Sequence, residues 1–345
     1  MAANAETVAL FRKQLELCDV GAGTSLAVLS EDDVRAEHAA VFLAAAAELE
    51  ADAFQVNIRK KPGSFFGPGN SLQGNEPAKA ALKSVDMVVD LVGLLWSREQ
   101  TEITDAGPRM LLVIEPIDVL KRMVSNPGDR KRVEAGSARL ASAKEMRITS
   151  PGGTDVTYRF GGYRIGEQYG YTDQPGRWDH WPGVFLYTAA VEDGVDGTVV
   201  IDTGDQLLLP TMRYVTDPIT LTVESGMITD IAGPGLDAEL LRSFMAGYDD
   251  PRAYAVSHIG WGLDPRARWD FMGTDPAAAD STGQDGRAFY GNVLFSTGPN
   301  TEVGGDNDTL CHIDIPLKGC TLTLDGETIV DGGRIVPDDM RVEGR

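Results

Sequence analysis

Histidine, cysteine and positive charge are all scarce in this chain of 345 residues. It has four histidines and three cysteines, and its 52 Asp and Glu residues outnumber its 31 Lys and Arg residues, which gives a formal net charge of −21. This balance argues against nucleic acid or an anionic membrane surface as a partner, and it allows a small neutral or zwitterionic ligand. Because three widely spaced cysteines do not form a disulfide framework, we expect reduced thiols and a cytoplasmic protein.

Several common sequence signals are also missing. The N-terminus has no basic region followed by an apolar stretch, so we expect no signal peptide, and the alanine-rich run over 39–47 is too short to span a bilayer. There is no Walker A loop, and Gly21-Ala22-Gly23 precedes a predicted strand instead of following one. No GxSxG motif surrounds Ser296, which disfavours a serine hydrolase.

The hydrophobic pattern changes character near residue 150. Residues 1–150 alternate helical and strand patterns, which predicts an α/β domain with a mainly parallel sheet. Residues 151–345 contain frequent turn signals and short strands, so we expect an α+β domain that carries the chemistry. The main predicted elements are helices over 6–17, 31–50 (with Ser30 as N-cap), 77–85, 129–145 and 237–246, a Gly/Pro-rich loop over 62–75, and strands over 25–29, 53–58, 87–92, 110–114, 220–224, 227–231, 321–324 and 328–330.

The most informative short segment is Cys311-His312-Ile313-Asp314, which places a histidine two residues before a carboxylate in an apolar run. If this run is a strand, His312 and Asp314 share one face of it. An imidazole and a carboxylate side by side are two parts of the 2-His-1-carboxylate site of non-haem Fe(II) oxygenases. Such a site needs one further histidine.

Three other histidines are available. His38 lies in the middle of a predicted helix among alanines, which favours a helix-face residue. His180 lies between two tryptophans, and His258 ends an apolar run; each of them alone is more often a core or surface residue than a ligand. Tryptophans near these two histidines suit either an aromatic-binding pocket or plain core packing; they are Trp178, Trp181, Trp261 and Trp269.

Four longer segments resemble a known family. They are QYGYTDQPGRWDHWPG (168–183), SHIGWGLDPRARW (257–269), RAFYGNVLFSTGPNTEVGG (287–305) and CHIDIPLKGC (311–320). They are similar to 2,5-dihydroxypyridine 5,6-dioxygenases, the ring-opening enzymes of bacterial nicotinic acid degradation. The resemblance implies a fold related to aminopeptidase T metallopeptidases, with an α+β metal-binding C-terminal domain. It also implies Fe(II), cleavage of 2,5-dihydroxypyridine between ring carbons 5 and 6 by O2 to N-formylmaleamate, and a homo-oligomer, by resemblance a hexamer.

The same resemblance implies roles for individual residues. His258, His312 and Asp314 match the metal ligands, and His180 matches a histidine suited to acid–base work. Arg287 matches an arginine that would hold the substrate, and Ser296 matches a serine close to the metal. We also expect Trp178 to bind the substrate ring.

One position departs from the family pattern. A histidine that is expected to contact substrate is replaced here by Trp96, in the stretch Leu-Leu-Trp-Ser. A tyrosine could fill the missing role, and Tyr163, Tyr169 and Tyr171 are available. The departure leaves open a dioxygenase that acts on another hydroxylated pyridine or on a hydroquinone-like ring. A two-metal hydrolase on the same scaffold and a non-catalytic binding protein are the remaining alternatives, and both fit the ligand set less well.

Overall fold

The computed structural model describes residues 4–61, 69–208 and 211–344, and the chain divides into two compact units. Unit 1 comprises residues 1–127 and 168–183, and unit 2 comprises 128–167 and 184–345. The α-helices within the described residues are α1 Ala5–Leu17, α2 Ala36–Glu48, α3 Glu76–Leu82, α4 Arg98–Thr104, α5 Ile117–Arg122, α6 Pro127–Ser142, α7 Leu236–Ala246, α8 Phe271–Thr274 and α9 Gln284–Arg287.

The strands are short, and most are buried on at least one face. In chain order they are β1 Ser25–Glu31, β2 Asp52–Ile58, β3 Met87–Asp90, β4 Arg109–Leu112, β5 Glu145–Thr149, β6 Asp155–Arg159, β7 Gly166–Gln168, β8 Trp178–His180, β9 Phe185–Ala189, β10 Val195–Ile201, β11 Gln206–Leu207, β12 Arg213–Tyr214, β13 Ile219–Glu224, β14 Met227–Ala232, β15 Val256–Gly262, β16 Val293–Thr297, β17 Ile313–Leu317, β18 Thr321–Leu324, β19 Glu327–Asp331 and β20 Arg334–Ile335.

Unit 1 is built on a parallel sheet with the strand order β2-β1-β3-β4-β8. Every residue of β3 and β4 is buried, as expected for parallel strands covered on both faces. An aromatic cluster lies in the core of this unit: the ring centroid of Phe11 is 4.7 Å from that of Phe42 and 4.9 Å from that of Trp181. This sheet confirms the predicted α/β architecture.

Unit 2 contains two larger sheets and a two-stranded ribbon. The eight-stranded sheet has the order β14-β13-β10-β6-β5-β18-β19-β20, and the five-stranded sheet has the order β17-β16-β15-β9-β7. Both predicted hairpins form: β13 pairs antiparallel with β14, and β18 pairs antiparallel with β19. Strands β9, β15, β16 and β17 of the five-stranded sheet are almost entirely buried, so polar side chains on them need internal partners.

The predicted helix cap at Ser30 is wrong. Strand β1 continues to Glu31, which pairs with Ile58, and α2 begins only at Ala36. Ser30 therefore lies inside the sheet, where its hydroxyl accepts a hydrogen bond from Gln55. Full pairing with β2 outweighs the local capping signal. Of the predicted loop over 62–75, residues 62–68 lie outside the described residues.

The two compact units do not coincide with the predicted division at residue 150. The segment over 168–183 belongs to unit 1 because β8 adds to its sheet, with Trp178 beside Met110 and His180 beside Leu112. In the other direction, α6 and β5 belong to unit 2 because β5 pairs with β6 and β18. In the part of the chain that the structure describes, no helix is both long and apolar enough to cross a membrane.

Candidate metal centre

His258 lies on β15 at an irregularity of the sheet. The register between β15 and β16 shifts between Val256 and Ile259, so the backbone around His258 forms a bulge. Bulges re-aim side chains and are frequent next to active sites. The hydroxyl of Ser296, on β16, donates to the carbonyl oxygen of His258 at 2.8 Å and ties the bulge to the neighbouring strand.

His312 and Asp314 lie at the start of β17, which begins at Ile313. Their side chains converge as the alternation of the strand predicts, with Nε2 of His312 3.4 Å from Oδ1 of Asp314. Gly298 makes this arrangement possible, because a Cβ atom there would lie 1.8 Å from the carbonyl oxygen of Cys311. Its φ of +103° also favours glycine.

The three side chains form one compact cluster. One potential ligand atom from each of His258, His312 and Asp314 lies within 4.8 Å of the others. Nε2 of His258 is 2.9 Å from Oδ1 of Asp314, and the two imidazole centroids are 5.2 Å apart. These three residues, proposed as ligands from the sequence, are therefore close enough to share one ion.

The orientation of His312 fits a metal. Its Nδ1 is 3.0 Å from the carbonyl oxygen of Thr297, which can only accept, so Nδ1 donates this bond and the neutral tautomer would leave Nε2 to bind a metal. Nε2 is buried and makes no hydrogen bond within the described ranges 4–61, 69–208 and 211–344. A buried polar atom in this state needs a partner. A divalent cation coordinated by two imidazoles and a carboxylate supplies one.

Arg287 and Asp314 form a buried ion pair. Nε of Arg287 donates to Oδ2 of Asp314 at 2.6 Å, and its Nη1 donates to the carbonyl oxygen of Thr282. Burial alone would raise the pKa of Asp314, but the charge of Arg287 and the nearby imidazoles hold it well below its usual value. Asp314 is therefore a carboxylate with one oxygen, Oδ1, turned toward the histidines.

Glu302 is a member of the site that sequence reasoning missed. Its carboxylate lies 3.0 Å from Nδ1 of His258, and its side chain is only 2% exposed. His258 is thus held between two carboxylates. Burial alone would lower its pKa, but the bonds to Asp314 and Glu302 outweigh burial and raise that pKa to about 9. Glu302 lies within one of the segments that resemble the family, yet no local pattern distinguishes it from other loop carboxylates.

A tyrosine forms one wall of the cluster. The ring centroid of Tyr187, on β9, is 5.0 Å from that of His258. The ring occupies space that a side chain at Gly166 would take, because a Cβ atom there would lie 2.3 Å from the ring. Glycine at 166 therefore permits an aromatic wall beside the imidazole.

Unit 1 carries His180 at the carboxyl edge of its parallel sheet, and Trp178 begins the same strand, β8. Asp90 ends β3, Leu112 ends β4 and His180 ends β8, and they are aligned in register. The loop after β3 carries Trp96. In open α/β sheets, ligands bind at this edge. His180 is 3% exposed, and its ring centroid lies 6.3 Å from that of Trp178.

The carboxylate of Asp90 stabilises the loop that carries Trp96. Asp90 accepts hydrogen bonds from the backbone N–H groups of Val92, Gly93 and Leu94 at 2.7 to 3.1 Å. Trp96 itself has a φ of +50°. A bulky residue in the left-handed region is an outlier, and such outliers cluster at functional sites.

The tryptophans divide between the core and other surroundings. Trp181 and Trp261 are fully buried core residues, so the expected aromatic walls do not include them. Trp178 is partly buried and packs against the core cluster of unit 1. His38 is a helix residue as predicted, with Nε2 2.9 Å from the carbonyl oxygen of Glu115.

Comparison with known proteins gives consistent results. The family model described as NicX, 2,5-dihydroxypyridine 5,6-dioxygenase, matches residues 6–337. A 2,5-dihydroxypyridine 5,6-dioxygenase from Pseudomonas putida KT2440 is 43% identical over 98% of both chains. The solved structure of 2,5-dihydroxypyridine dioxygenase from the same strain superposes with a TM-score of 0.94 at 41% identity, covering 99% of this chain and 100% of that one.

A more distant structure shows the fold alone. Wild-type AmpT from Thermus thermophilus superposes with a TM-score of 0.61 at 14% identity, covering 95% of this chain and 99% of that one. This likeness confirms the predicted relation to the aminopeptidase T fold. With the family match over almost the whole chain, it follows that the protein belongs to the 2,5-dihydroxypyridine 5,6-dioxygenase family of oxidoreductases.

Proposed function

We propose that this protein is an Fe(II)-dependent dioxygenase that opens 2,5-dihydroxypyridine between ring carbons 5 and 6 with O2 to give N-formylmaleamate, a step of nicotinate degradation. The observation that carries the proposal is the cluster of His258, His312 and Asp314, with ligand atoms within 4.8 Å of one another. Two imidazoles and one carboxylate are the ligand set of non-haem Fe(II) oxygenases.

The proposed ligand atoms are Nε2 of His258, Nε2 of His312 and Oδ1 of Asp314. Held by these three ligands, Fe(II) would supply open positions for a ring oxygen and O2, as extradiol-type cleavage requires. Arg287 keeps Oδ2 of Asp314 occupied, so the carboxylate offers a single oxygen to the metal. The remaining N–H groups of Arg287 are suited to hold an anionic ring oxygen by charge-assisted hydrogen bonds.

The proton chemistry is proposed for His180. A neutral imidazole can accept a proton from a ring hydroxyl near neutral pH, and His180 matches the histidine of the family motif. We propose that Trp96 and Trp178 contact the ring. Ser296, which is opposite Asp314 in the register of β16 and β17, is proposed to line the metal side of the substrate pocket.

Trp96 favours a second substrate class. Because an indole replaces a side chain that could exchange protons, another hydroxylated pyridine or a hydroquinone-like ring is the second candidate substrate. A metallohydrolase is less well supported, since a two-metal site needs further carboxylate ligands. Homo-oligomerisation, as a hexamer, is proposed by resemblance. A cytoplasmic location is proposed because the three cysteines are free.

The decisive experiment is anaerobic reconstitution followed by oxygen uptake. The protein is stripped of metal, loaded with Fe(II), and assayed with 2,5-dihydroxypyridine, its isomers and hydroquinone. The proposal predicts one iron per chain and stoichiometric consumption of O2 with 2,5-dihydroxypyridine. Two zinc, cobalt or manganese ions per chain together with peptidase activity would support the hydrolase instead, and no uptake with any ring would indicate a binding protein.

A further inference from the structure

The carboxylate of Glu302 is buried beside the imidazole of His258 without belonging to the proposed ligand set. Glutamate is almost never fully buried unless it is paired. Here the side chain is 2% exposed, and its partner is Nδ1 of His258 at 3.0 Å. The bond joins residues that are 44 positions apart in the sequence. Such a pairing between a turn and a strand needs a structural explanation.

The position of Glu302 is set by contacts with residues outside the proposed ligand set. It lies on a one-turn 3-10 helix, Thr301–Val303. The backbone N–H of Arg164 donates to the carbonyl oxygen of Val303 at 2.9 Å, and the Arg164 guanidinium donates to that of Glu302 at 3.1 Å. Arg164 is itself held by the hydroxyl of Thr188, at 3.0 Å. The carboxylate is therefore aimed at His258 by contacts outside the ligand cluster.

The consequence for His258 concerns its metal-bound form. Without a metal both ring nitrogens face a carboxylate, Nδ1 that of Glu302 and Nε2 that of Asp314. An ion at Nε2 would displace the proton there, and the carboxylate of Glu302 would keep the other proton on Nδ1. His312 has the same orientation, but its Nδ1 faces the neutral carbonyl of Thr297. The two histidines therefore differ in the charge of the group that Nδ1 faces. A carboxylate makes the imidazole a stronger ligand than a carbonyl does.

We propose that Glu302 is a positioning residue that holds His258 in the Nδ1–H form and thereby strengthens the binding of a single divalent metal ion. The inference rests on the proposed metal site, and it assigns to Glu302 a role through His258 and no direct bond to the ion. Removal of the carboxylate weakens the metal complex by about 10- to 100-fold, the usual effect of losing such an outer partner.

The test measures Co(II) binding to the metal-free full-length protein under anaerobic conditions, by titration calorimetry and by the visible absorption spectrum of bound Co(II). Four proteins are compared with wild type: Glu302→Gln, Glu302→Ala, His258→Ala, and Asp306→Asn as a control on an exposed carboxylate of the same segment. We expect Glu302→Gln to bind about 10-fold more weakly and Glu302→Ala up to about 100-fold more weakly. One ion per chain and the wild-type spectrum are retained in both, and Asp306→Asn is unchanged.

A second readout reports the tautomer. The chain has four histidines, so the imidazole nitrogens of the Zn(II)-loaded protein give few signals in a ¹⁵N spectrum. We expect a protected Nδ1–H signal for His258 that Glu302→Gln weakens and Glu302→Ala removes. A change in packing alone would leave this signal in place. If Glu302→Ala does not fold, as judged by circular dichroism, the isosteric Glu302→Gln decides the question.

Two outcomes overturn the inference. Wild-type affinity and an unchanged His258 signal in both Glu302 variants would mean that the carboxylate does not act through His258. A changed Co(II) spectrum and loss of binding equal to that of His258→Ala would make Glu302 a ligand. Failure of the proposed function looks different, since wild type itself would then bind no Co(II), or would bind Fe(II) without consuming O2.

Discussion

Arg287 and Asp314 are bonded to each other, with Nε of the guanidinium 2.6 Å from Oδ2 of the carboxylate and both side chains at most 8% exposed. The sequence assigns one of these residues to the substrate and the other to the metal. Because they are in contact, a change at Arg287 also affects Asp314, and the converse holds. Arg287 neutralises the carboxylate while it orients the oxygen that faces His258 and His312.

This pairing predicts that Arg287→Gln destabilises the metal-free protein more than the metal-loaded protein. Removing one partner of a buried ion pair costs about 3–5 kcal/mol, because the other charge stays buried. A bound divalent ion supplies the missing positive charge to Asp314, so its presence should recover a large part of the loss. The free energy of unfolding from urea titrations, with and without Co(II), measures both quantities.

Arg268→Gln is the matched control. Arg268 also pairs with carboxylates, Asp270 and Asp275, but it is 37% exposed, and exposed pairs contribute about 0–1 kcal/mol. Equal losses for the two variants, or the same loss for Arg287→Gln with and without metal, would contradict the assigned relationship.

The pKa of His258 predicts opposite pH dependences for the metal-free protein and for metal binding. In the folded metal-free protein the pKa is raised from 6.5 to about 9 by the two carboxylates. The stabilisation is therefore complete below pH 6.5 and is lost as the pH rises through 9, with a slope of at most about 1.4 kcal/mol per pH unit. Because Co(II) must displace this proton, its affinity should rise over the same range, by up to about 10-fold per pH unit.

Denaturant titrations and Co(II) titrations between pH 6.5 and 9 test both slopes. In His258→Asn the stability slope should flatten, because the titrating imidazole between the two carboxylates is gone. An identical slope in wild type and in this variant would assign the pH dependence to other groups.

The sequence could predict half of the metal centre because that half is local. His312 and Asp314 are two residues apart, and the alternation of a strand is enough to bring them together. His258 is 56 positions from Asp314, and only its surroundings and the family resemblance pointed to it. Glu302 had no such signal, since a single glutamate in a glycine-rich turn is usually predicted to be solvent-exposed. Only the fold shows that it contacts His258.

The fold shows the same limit at a larger scale. Periodicity predicted the central residues of most strands and helices. It did not predict that residues 168–183 belong to unit 1 and residues 128–167 to unit 2. Strand β8 is only three residues long, and nothing in its sequence states that it pairs with β4, which ends at Leu112. Such non-local pairing decides which unit a segment joins, and periodicity alone does not reveal it.

Replacement of the two ligand histidines should have unequal effects on the metal-free protein. His312 makes a hydrogen bond to Thr297 through Nδ1, so His312→Ala should cost only about 1 kcal/mol of stability. His258→Ala takes the imidazole from between Glu302 and Asp314 and should cost about 3–5 kcal/mol. Both variants should lose tight Co(II) binding. Retention of Co(II) and of oxygen uptake by both would show that the ligand set is wrong.

His180→Ala should retain the metal and lose turnover. A positioned base contributes about 10²–10⁴-fold to a rate, so oxygen uptake should fall within that range while the iron content stays at one per chain. His38→Gln is the control, because His38 is also a buried histidine, but it lies in helix α2 and forms a hydrogen bond with the backbone carbonyl of Glu115. Loss of iron from His180→Ala would instead make His180 a ligand.

Substitution of Trp96 tests the choice of substrate. Its φ is +50°, a conformation that histidine adopts more readily than tryptophan, so Trp96→His should fold without added backbone strain. One gained hydrogen bond to the ring is worth about 1.4 kcal/mol, which would raise kcat/KM for 2,5-dihydroxypyridine relative to hydroquinone about 10-fold. Trp96→Phe keeps an aromatic ring without a nitrogen and should not reproduce this gain. If all three proteins show the same relative rates across the substrates, Trp96 lies outside the pocket, and the substrate preference must be set by residues such as Arg287.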